Sequence, residues 1–354
     1  MMNRYFNLLL IFFMTILLNK GLAQQVSRSG LLWSSLPPVP DRVGFAGSFA
    51  GVSNGALLVA GGANFPDGGA PWTGSAKAWH DHIFVLENPK GKWKEAGKLP
   101  YPLGYGASIN WKDTVIILGG SNEKGHRAEV FMLNYKNGKI ETVNLPNLPH
   151  AIANTSAALV GSVIYVAGGI EKPDDKVAGA NFWALDLNAI EKGWKVLPTW
   201  LGAPRMLSVA GAQGDAFYLF SGVALIDGNR EYLKDAYRYH PQTGWKKIAD
   251  LPASVAAAPT PAYALGQSSL QIFGGDDGKL AASAAVLKEK HPGFSNRILN
   301  YNTLTNTWTS DGKAFATRPP VTTTLTVWNG NVIIPGGEIR PAVRTPNVLI
   351  ATYK

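Results

Sequence analysis

One pattern recurs six times along the chain: Ala56-Leu57-Leu58-Val59-Ala60-Gly61-Gly62, Thr114-Val115-Ile116-Ile117-Leu118-Gly119-Gly120, Val163-Ile164-Tyr165-Val166-Ala167-Gly168-Gly169, Ala216-Phe217-Tyr218-Leu219-Phe220-Ser221-Gly222, Ser269-Leu270-Gln271-Ile272-Phe273-Gly274-Gly275 and Asn331-Val332-Ile333-Ile334-Pro335-Gly336-Gly337. Each is a strand-like apolar run that ends in Gly-Gly or Ser-Gly. Their last residues are spaced 49 to 62 positions apart, from Gly62 to Gly337. A variable polar stretch follows each pair, and then a second apolar run: 82–87, 129–135, 181–187, 235–241, 297–302 and 347–353. A third short run comes after that, marked by Trp93, Trp194, Trp245 or Trp308, with Ile140 in the second unit, and usually followed by Leu-Pro or a similar turn.

This is the pattern of a propeller blade. A twisted four-stranded sheet that packs both faces against neighbours needs strands that are apolar throughout, not alternating. Glycine pairs at strand ends allow a sharp bend and a close backbone approach near a central channel, and outer aromatic residues fill the widening gaps between blades. The spacing is near the roughly 50 residues of a kelch repeat. The expected fold is therefore all-β: a six-bladed kelch-type β-propeller. The sixth unit stops after 347–353, whereas Gly30 to Pro37 carries Trp33 and a Leu-Pro turn with no strands before it. The N-terminal strand is thus expected to complete the last blade and close the ring, which makes 24–354 a single domain. A β-sandwich would have about half as many strands and no such repeat, and a solenoid would not need complementary ends.

Residues 1–23 read as a signal peptide: Arg4, an apolar run from Tyr5 to Leu18, and the small-residue site Gly21-Leu22-Ala23. The apolar run is short for a bilayer span, so cleavage after Ala23 and no membrane association thereafter are expected. The chain has no cysteine, which removes disulfides, thiolate metal sites and lipid attachment through cysteine. The same absence excludes a copper radical oxidase, which needs a cysteine–tyrosine cross-link, and sialidase boxes of the form S-x-D-x-G-x-x-W are missing too. A formal charge of +9 becomes +7 without Arg4 and Lys20. Those charges are scattered, which argues against nucleic acid and supports only a mild attraction for small anions.

In a propeller, the residue after each glycine pair shares a face with the link that enters strand one, and that face is where a site is sought. The six residues are Ala63, Ser121, Ile170, Val223, Asp276 and Glu338. Glu338 opens Gly337-Glu338-Ile339-Arg340-Pro341-Ala342-Val343-Arg344-Thr345, where a carboxylate lies close in sequence to two guanidinium groups. Such a set suits an anionic sugar, with arginine gripping a carboxylate while the acid handles protons. A surface salt bridge is the alternative. Arg205, in Gly202-Ala203-Pro204-Arg205, is expected to point to the same face, with a solvated loop arginine as its alternative. Asn64 and Tyr105 hold equivalent mouth positions and are candidates to hydrogen-bond a polyol, against packing or turn roles. His80 and His82 flank Asp81 at strand spacing but stand away from the channel, and no metal is expected there. Asp276-Asp277-Gly278 reads as a turn.

These segments resemble the N-acetylneuraminate epimerase family of sialic acid mutarotases, six-bladed kelch propellers of the bacterial periplasm. The family's G-E-x-K-P-x-x-R-T segment is similar to Gly337–Thr345, with Arg340 in place of lysine. Its G-G-P-R segment is similar to Gly202–Arg205, G-G-F-A-G-I-S to Gly47–Ser53, and A-Y-G-V-S to Gly104–Ser108. Segments near the family's C-terminus stand here near the N-terminus, so the resemblance is to a circularly permuted branch, and a closed ring tolerates a moved seam. The resemblance implies Glu338 as the proton-transfer residue and Arg344 as its partner. Arg340, Arg205, Asn64 and Tyr105 are then candidates for substrate contact. It implies no metal or organic cofactor, a small anionic sugar as substrate, and a periplasmic location. The rival expectation is a non-catalytic propeller that binds a glycan or a protein on the same face; it would leave Glu338 and Arg344 exposed or paired away from the channel.

Overall fold

Each glycine-pair run forms the second strand of a four-stranded antiparallel sheet in the computed structural model, which describes residues 30–311 and 318–353. The first blade runs Phe49–Ser53, Ala56–Ala60, His82–Leu86 and Lys94–Lys98. Four more follow in chain order, and the sixth assembles Thr326–Trp328, Asn331–Pro335 and Val348–Tyr353 with Leu31–Leu36. That last strand pairs antiparallel with Val348–Tyr353, Leu31 opposite Tyr353 and Leu36 opposite Val348. The segment read as a signal peptide lies outside the described residues. Among the described residues, no helix is long and apolar enough to cross a membrane.

The uniformly apolar strands are explained by what lies on either side of them. In Ala56–Ala60, Leu57 and Val59 pack into the interface with the sixth blade, and Leu58 and Ala60 into the interface with the second. Each of the six blade-to-blade interfaces is a distinct apolar cluster of this kind. At about 25 cal/mol per Å² of apolar surface removed from water, these interfaces supply most of the drive to fold.

The outer tryptophans do more than fill space. The Trp93 indole N–H donates to Pro37 O, Trp194 to Pro146 O, Trp245 to Pro198 O and Trp308 to Ala249 O, at 2.8–2.9 Å. In each case the acceptor is the turn that ends the preceding blade, so the sequence signature of Trp followed by Leu-Pro is one half of an inter-blade clamp. The Trp93 bond fastens the first blade to the strand taken from the chain's start.

Around the axis the links into the six blades form a closed hydrogen-bonded ring. Gly47 N donates to Thr322 O, Tyr105 N to Gly47 O, Asn154 N to Tyr105 O, Leu207 N to Asn154 O, Ala257 N to Leu207 O and Thr322 N to Ala257 O, at 2.6–2.9 Å. All six are left-handed, with φ from 53° to 67°. Five are not glycine, and each costs about 1–2 kcal/mol in that conformation, a cost that the ring and the neighbouring blades offset. The six line one narrow axial cavity. Beside it, the residue before each ring position bridges the residue after each glycine pair: Ala46–Ala63, Gly104–Ser121, Ala153–Ile170, Met206–Val223, Ala256–Asp276 and Val321–Glu338. Glu338 is therefore anchored at the channel mouth by backbone geometry that all six blades share.

Candidate active site

The sixth blade's insertion is a small hairpin, Glu338–Arg340 paired with Val343–Arg344, which sets Glu338 directly opposite Arg344. Pro341 and a left-handed Ala342, φ 63°, make the turn. The Ala342 N–H donates to Glu338 Oε2 at 3.2 Å, and Arg344 Nη2 lies 3.4 Å from Glu338 Oε1 and from the Tyr105 hydroxyl. Both contacts of Nη2 are long for charge-assisted bonds. Arg344 is only 8% exposed, with its guanidinium 4.7 Å above the Phe65 ring, yet its Nε and Nη1 have no hydrogen-bond partner. The backbone beneath is tight: a Cβ on Gly44 would fall 2.1 Å from the carbonyl carbon of Thr345.

Tyr105 is a ring residue whose side chain reaches from the axis to this hairpin. Burial, and to a lesser degree the Glu338 carboxylate, push its phenol up to about 12 against the opposing effect of Arg344. It stays protonated at neutral pH and, because it accepts from Arg344, its own O–H is free to donate. Trp79 meets the Tyr105 ring edge to face at 5.5 Å. Lys77 places its Nζ 4.3 Å from the centre of the Trp79 ring and 4.1 Å from that of Tyr105. Much of Lys77 reaches solvent, but its ammonium is crowded. Burial first, and then the nearby Arg344 charge, lower its pKa to about 8 despite the opposing pull of Glu338. Two cations thus accompany one carboxylate, an imbalance that suits an anionic ligand.

Lys77, Phe65 and Trp79 went unread in the sequence. They lie in the long insertion after the first glycine pair, whose pairing of Ala63–Asn64 with Ala78–Trp79 brings them back to the mouth. The available signal was the cation-then-aromatic spacing of Lys77 and Trp79 inside a mouth-facing insertion.

Of the residues expected at the site, Glu338, Arg344 and Tyr105 converge. Three others are placed differently. Arg205 is fully buried: its Nη1 and Nη2 donate to Asp235 Oδ1 and Oδ2 at 2.8 and 2.7 Å, and further bonds reach Ala203 O and Ser221 O. Every arm of its fork is used, so it braces the fourth blade and does not offer itself to a ligand. Asn64 is 1% exposed, with its amide shared between Asp41 Oδ1 and His80 Nε2; it orders the loops behind the site and does not face a polyol. Arg340 turns away past the bulge in its strand and donates from Nη1 to Glu289 O at 2.6 Å. Glu289 belongs to the insertion after the fifth glycine pair, and its carboxylate also accepts from the Trp72 indole of the first blade's insertion. Since the sixth blade lies between the fifth and the first, this contact ties the three mouth insertions together.

His82 pairs with Glu95, and His80 with Asn64. No group of three His, Cys, Asp or Glu side chains converges among the described residues. Asp276 and Asp277 do form a turn: Asp276 Oδ1 accepts the Gly278 N–H.

Fold and site together define a class: a six-bladed propeller whose channel mouth holds an acid beside a buried, under-satisfied guanidinium. A sequence model of the N-acetylneuraminate epimerase family matches residues 20–142 and 145–354, and the chain belongs to that family. Similar proteins include an N-acetylneuraminate epimerase of Salmonella arizonae, 44% identical over 26% of this chain and 26% of its own. Another is an N-acetylneuraminate epimerase of Haemophilus influenzae strain 86-028NP, 30% identical over 56% of this chain and 57% of its own. The alignments thus span about a quarter and just over half of these relatives' lengths.

Proposed function

We propose that this protein is a mutarotase that interconverts the α and β anomers of N-acetylneuraminate at the mouth formed by Glu338, Arg344, Tyr105 and Lys77. The observation that carries this reading is Arg344: a nearly buried guanidinium with two unpartnered nitrogens beside a carboxylate. An uncompensated buried donor costs about 1–3 kcal/mol, more when charged, and a substrate carboxylate offsets that cost by charge-assisted hydrogen bonds to the guanidinium. In a sialic acid the carboxylate sits on the anomeric carbon itself. Holding it at Arg344 therefore brings the reacting centre to Glu338.

Glu338 removes the proton of the anomeric hydroxyl, the ring opens to the keto acid, the carbonyl turns its other face, and the ring closes with the proton returned. Arg344 and the Tyr105 hydroxyl stabilise charge on the opening sugar. Relatives that carry the name N-acetylneuraminate epimerase support this choice of sugar. A non-catalytic glycan-binding or protein-binding propeller is disfavoured, because it has no use for a proton acceptor held against a guanidinium at 3.4 Å beside the axial cavity.

The same proposal includes an exported protein, cut after Ala23, that works in the periplasm as a single domain of kelch-type blades, with its seam moved relative to the family's usual order. The test of function is proton NMR of freshly released α-N-acetylneuraminate. The β anomer is expected to form faster in proportion to added protein; unchanged kinetics with folded protein would overturn the assignment.

A further inference from the structure

We infer that Lys77 is a second catalytic group, the proton donor to the sugar's ring oxygen when the ring opens and the acceptor of that proton when it closes. This rests on the mutarotase reading above. Opening a cyclic hemiketal moves two protons, one off the anomeric hydroxyl and one onto the ring oxygen. Glu338 serves the first. Served alone, it must release that proton and deliver it to a different atom, while a second group in place lets both transfers occur together.

The geometry singles out Lys77. Among the described residues its Nζ makes no hydrogen bond or ion pair, only the two ring contacts, over Trp79 and over Tyr105, whose hydroxyl touches Arg344. The ammonium thus rests on two ring faces at the edge of solvent and keeps its protons available. The groups around it are known from each side. The charges of Glu338 and Arg344 act on it from the sixth-blade hairpin, and the Tyr105 ring lies against it. On the other side Tyr101, Glu123, Lys124 and Arg127 share with it the wall of a cavity of about 460 Å³ between the first and second blades. Burial first, and then the neighbouring Arg344 charge, lower the cost of giving up a proton, against the opposing pull of Glu338.

The protons balance over one turnover. Glu338 takes the anomeric hydroxyl proton as the bond from anomeric carbon to ring oxygen breaks; the hydroxyl oxygen becomes the ketone, and Lys77 protonates the departing ring oxygen. After the carbonyl has rotated, the regenerated hydroxyl returns its proton to Lys77 as it attacks the other face. The carbonyl oxygen then recovers the proton held by Glu338, and both side chains end as they began.

The experiment measures NMR anomerisation rates, corrected for the uncatalysed reaction, from pH 6 to 10 for the wild type, Lys77→Arg and Lys77→Met, with circular dichroism to confirm folding. The wild-type kcat is expected to fall as pH rises through about 8, where Lys77 loses its proton. Lys77→Arg keeps the charge but holds its proton too tightly to exchange it; it is expected to lose about 10²-fold in kcat, with KM little changed and the alkaline fall gone. A Lys77→Arg variant with wild-type kcat and the same pH profile would overturn the inference, as would Lys77→Met raising KM alone, since either result makes Lys77 a carboxylate grip. An inactive wild type would instead sink the mutarotase reading, which keeps the two failures apart.

Discussion

Glu338→Gln is expected to lower kcat for anomerisation by about 10²–10⁴-fold, the usual contribution of a positioned general base, while the protein stays folded and still binds the sugar. Glutamine preserves the shape, and its carbonyl oxygen still accepts the Ala342 N–H that fixes Glu338 Oε2 at 3.2 Å. The hairpin should therefore hold. What disappears is a group able to take a proton. Removing the carboxylate also frees Arg344 from its 3.4 Å competitor, so KM should stay level or fall. NMR rates across a range of sugar concentrations read both constants. A large rise in KM with kcat intact would mean that Glu338 binds substrate and does not move protons.

The second large effect concerns stability. Asp235→Ala should destabilise the fold by about 3–5 kcal/mol, because it strands a buried cation. Arg205 is wholly buried, and Asp235 is its one carboxylate partner among the described residues, engaged at 2.7–2.8 Å by both ends of the fork and by the Tyr237 hydroxyl at 2.7 Å. The pH dependence follows from the same pair. Burial by itself would raise the Asp235 pKa, but the Arg205 hydrogen bonds and charge outweigh it and leave it lowered. A lowered carboxylate means that the unfolded chain binds more protons than the native one between the two values. The pair's stabilisation is thus complete above the ordinary aspartate range and is lost as pH falls below it. Denaturant titration of wild type and Asp235→Ala at neutral and acidic pH checks both statements: the gap between them should be wide at pH 7 and narrow in acid.

How far the sequence could be read depended on whether the backbone or the tertiary packing carried the information. The glycine pairs and the outer tryptophans were legible because each recurs at one place in every blade. The pairs mark the bend at the end of strand two, and the tryptophans bond to the turn of the preceding blade. Glu338 was legible for a related reason: its bridge to Val321 is one of six equivalent bridges, so comparing the units placed it at the mouth. Arg205 was also in a link near the mouth, but its direction was decided by Asp235, thirty positions away, and nothing local announced that partner. Arg340 was drawn off by a carbonyl in another blade's insertion. Lys77 failed to stand out because, beyond Trp79 in its own insertion, the Tyr105 ring and the Arg344 charge beside it come from two other segments. Chain-local geometry could be read off the residues, whereas the partners that aim a long charged side chain could not.

In the proposed reaction Arg344 holds the carboxylate on the anomeric carbon and so delivers that carbon to Glu338. The decisive comparison is of enzyme-dependent anomerisation of N-acetylneuraminate with that of its methyl ester, under one set of conditions, by proton NMR. The ester keeps the ring, the anomeric hydroxyl and nearly the same shape but has no charge for the guanidinium. Clear acceleration is expected for the acid and a loss of most of it for the ester. Equal acceleration of both would contradict it, and would leave the unpartnered nitrogens of Arg344 without the role assigned to them.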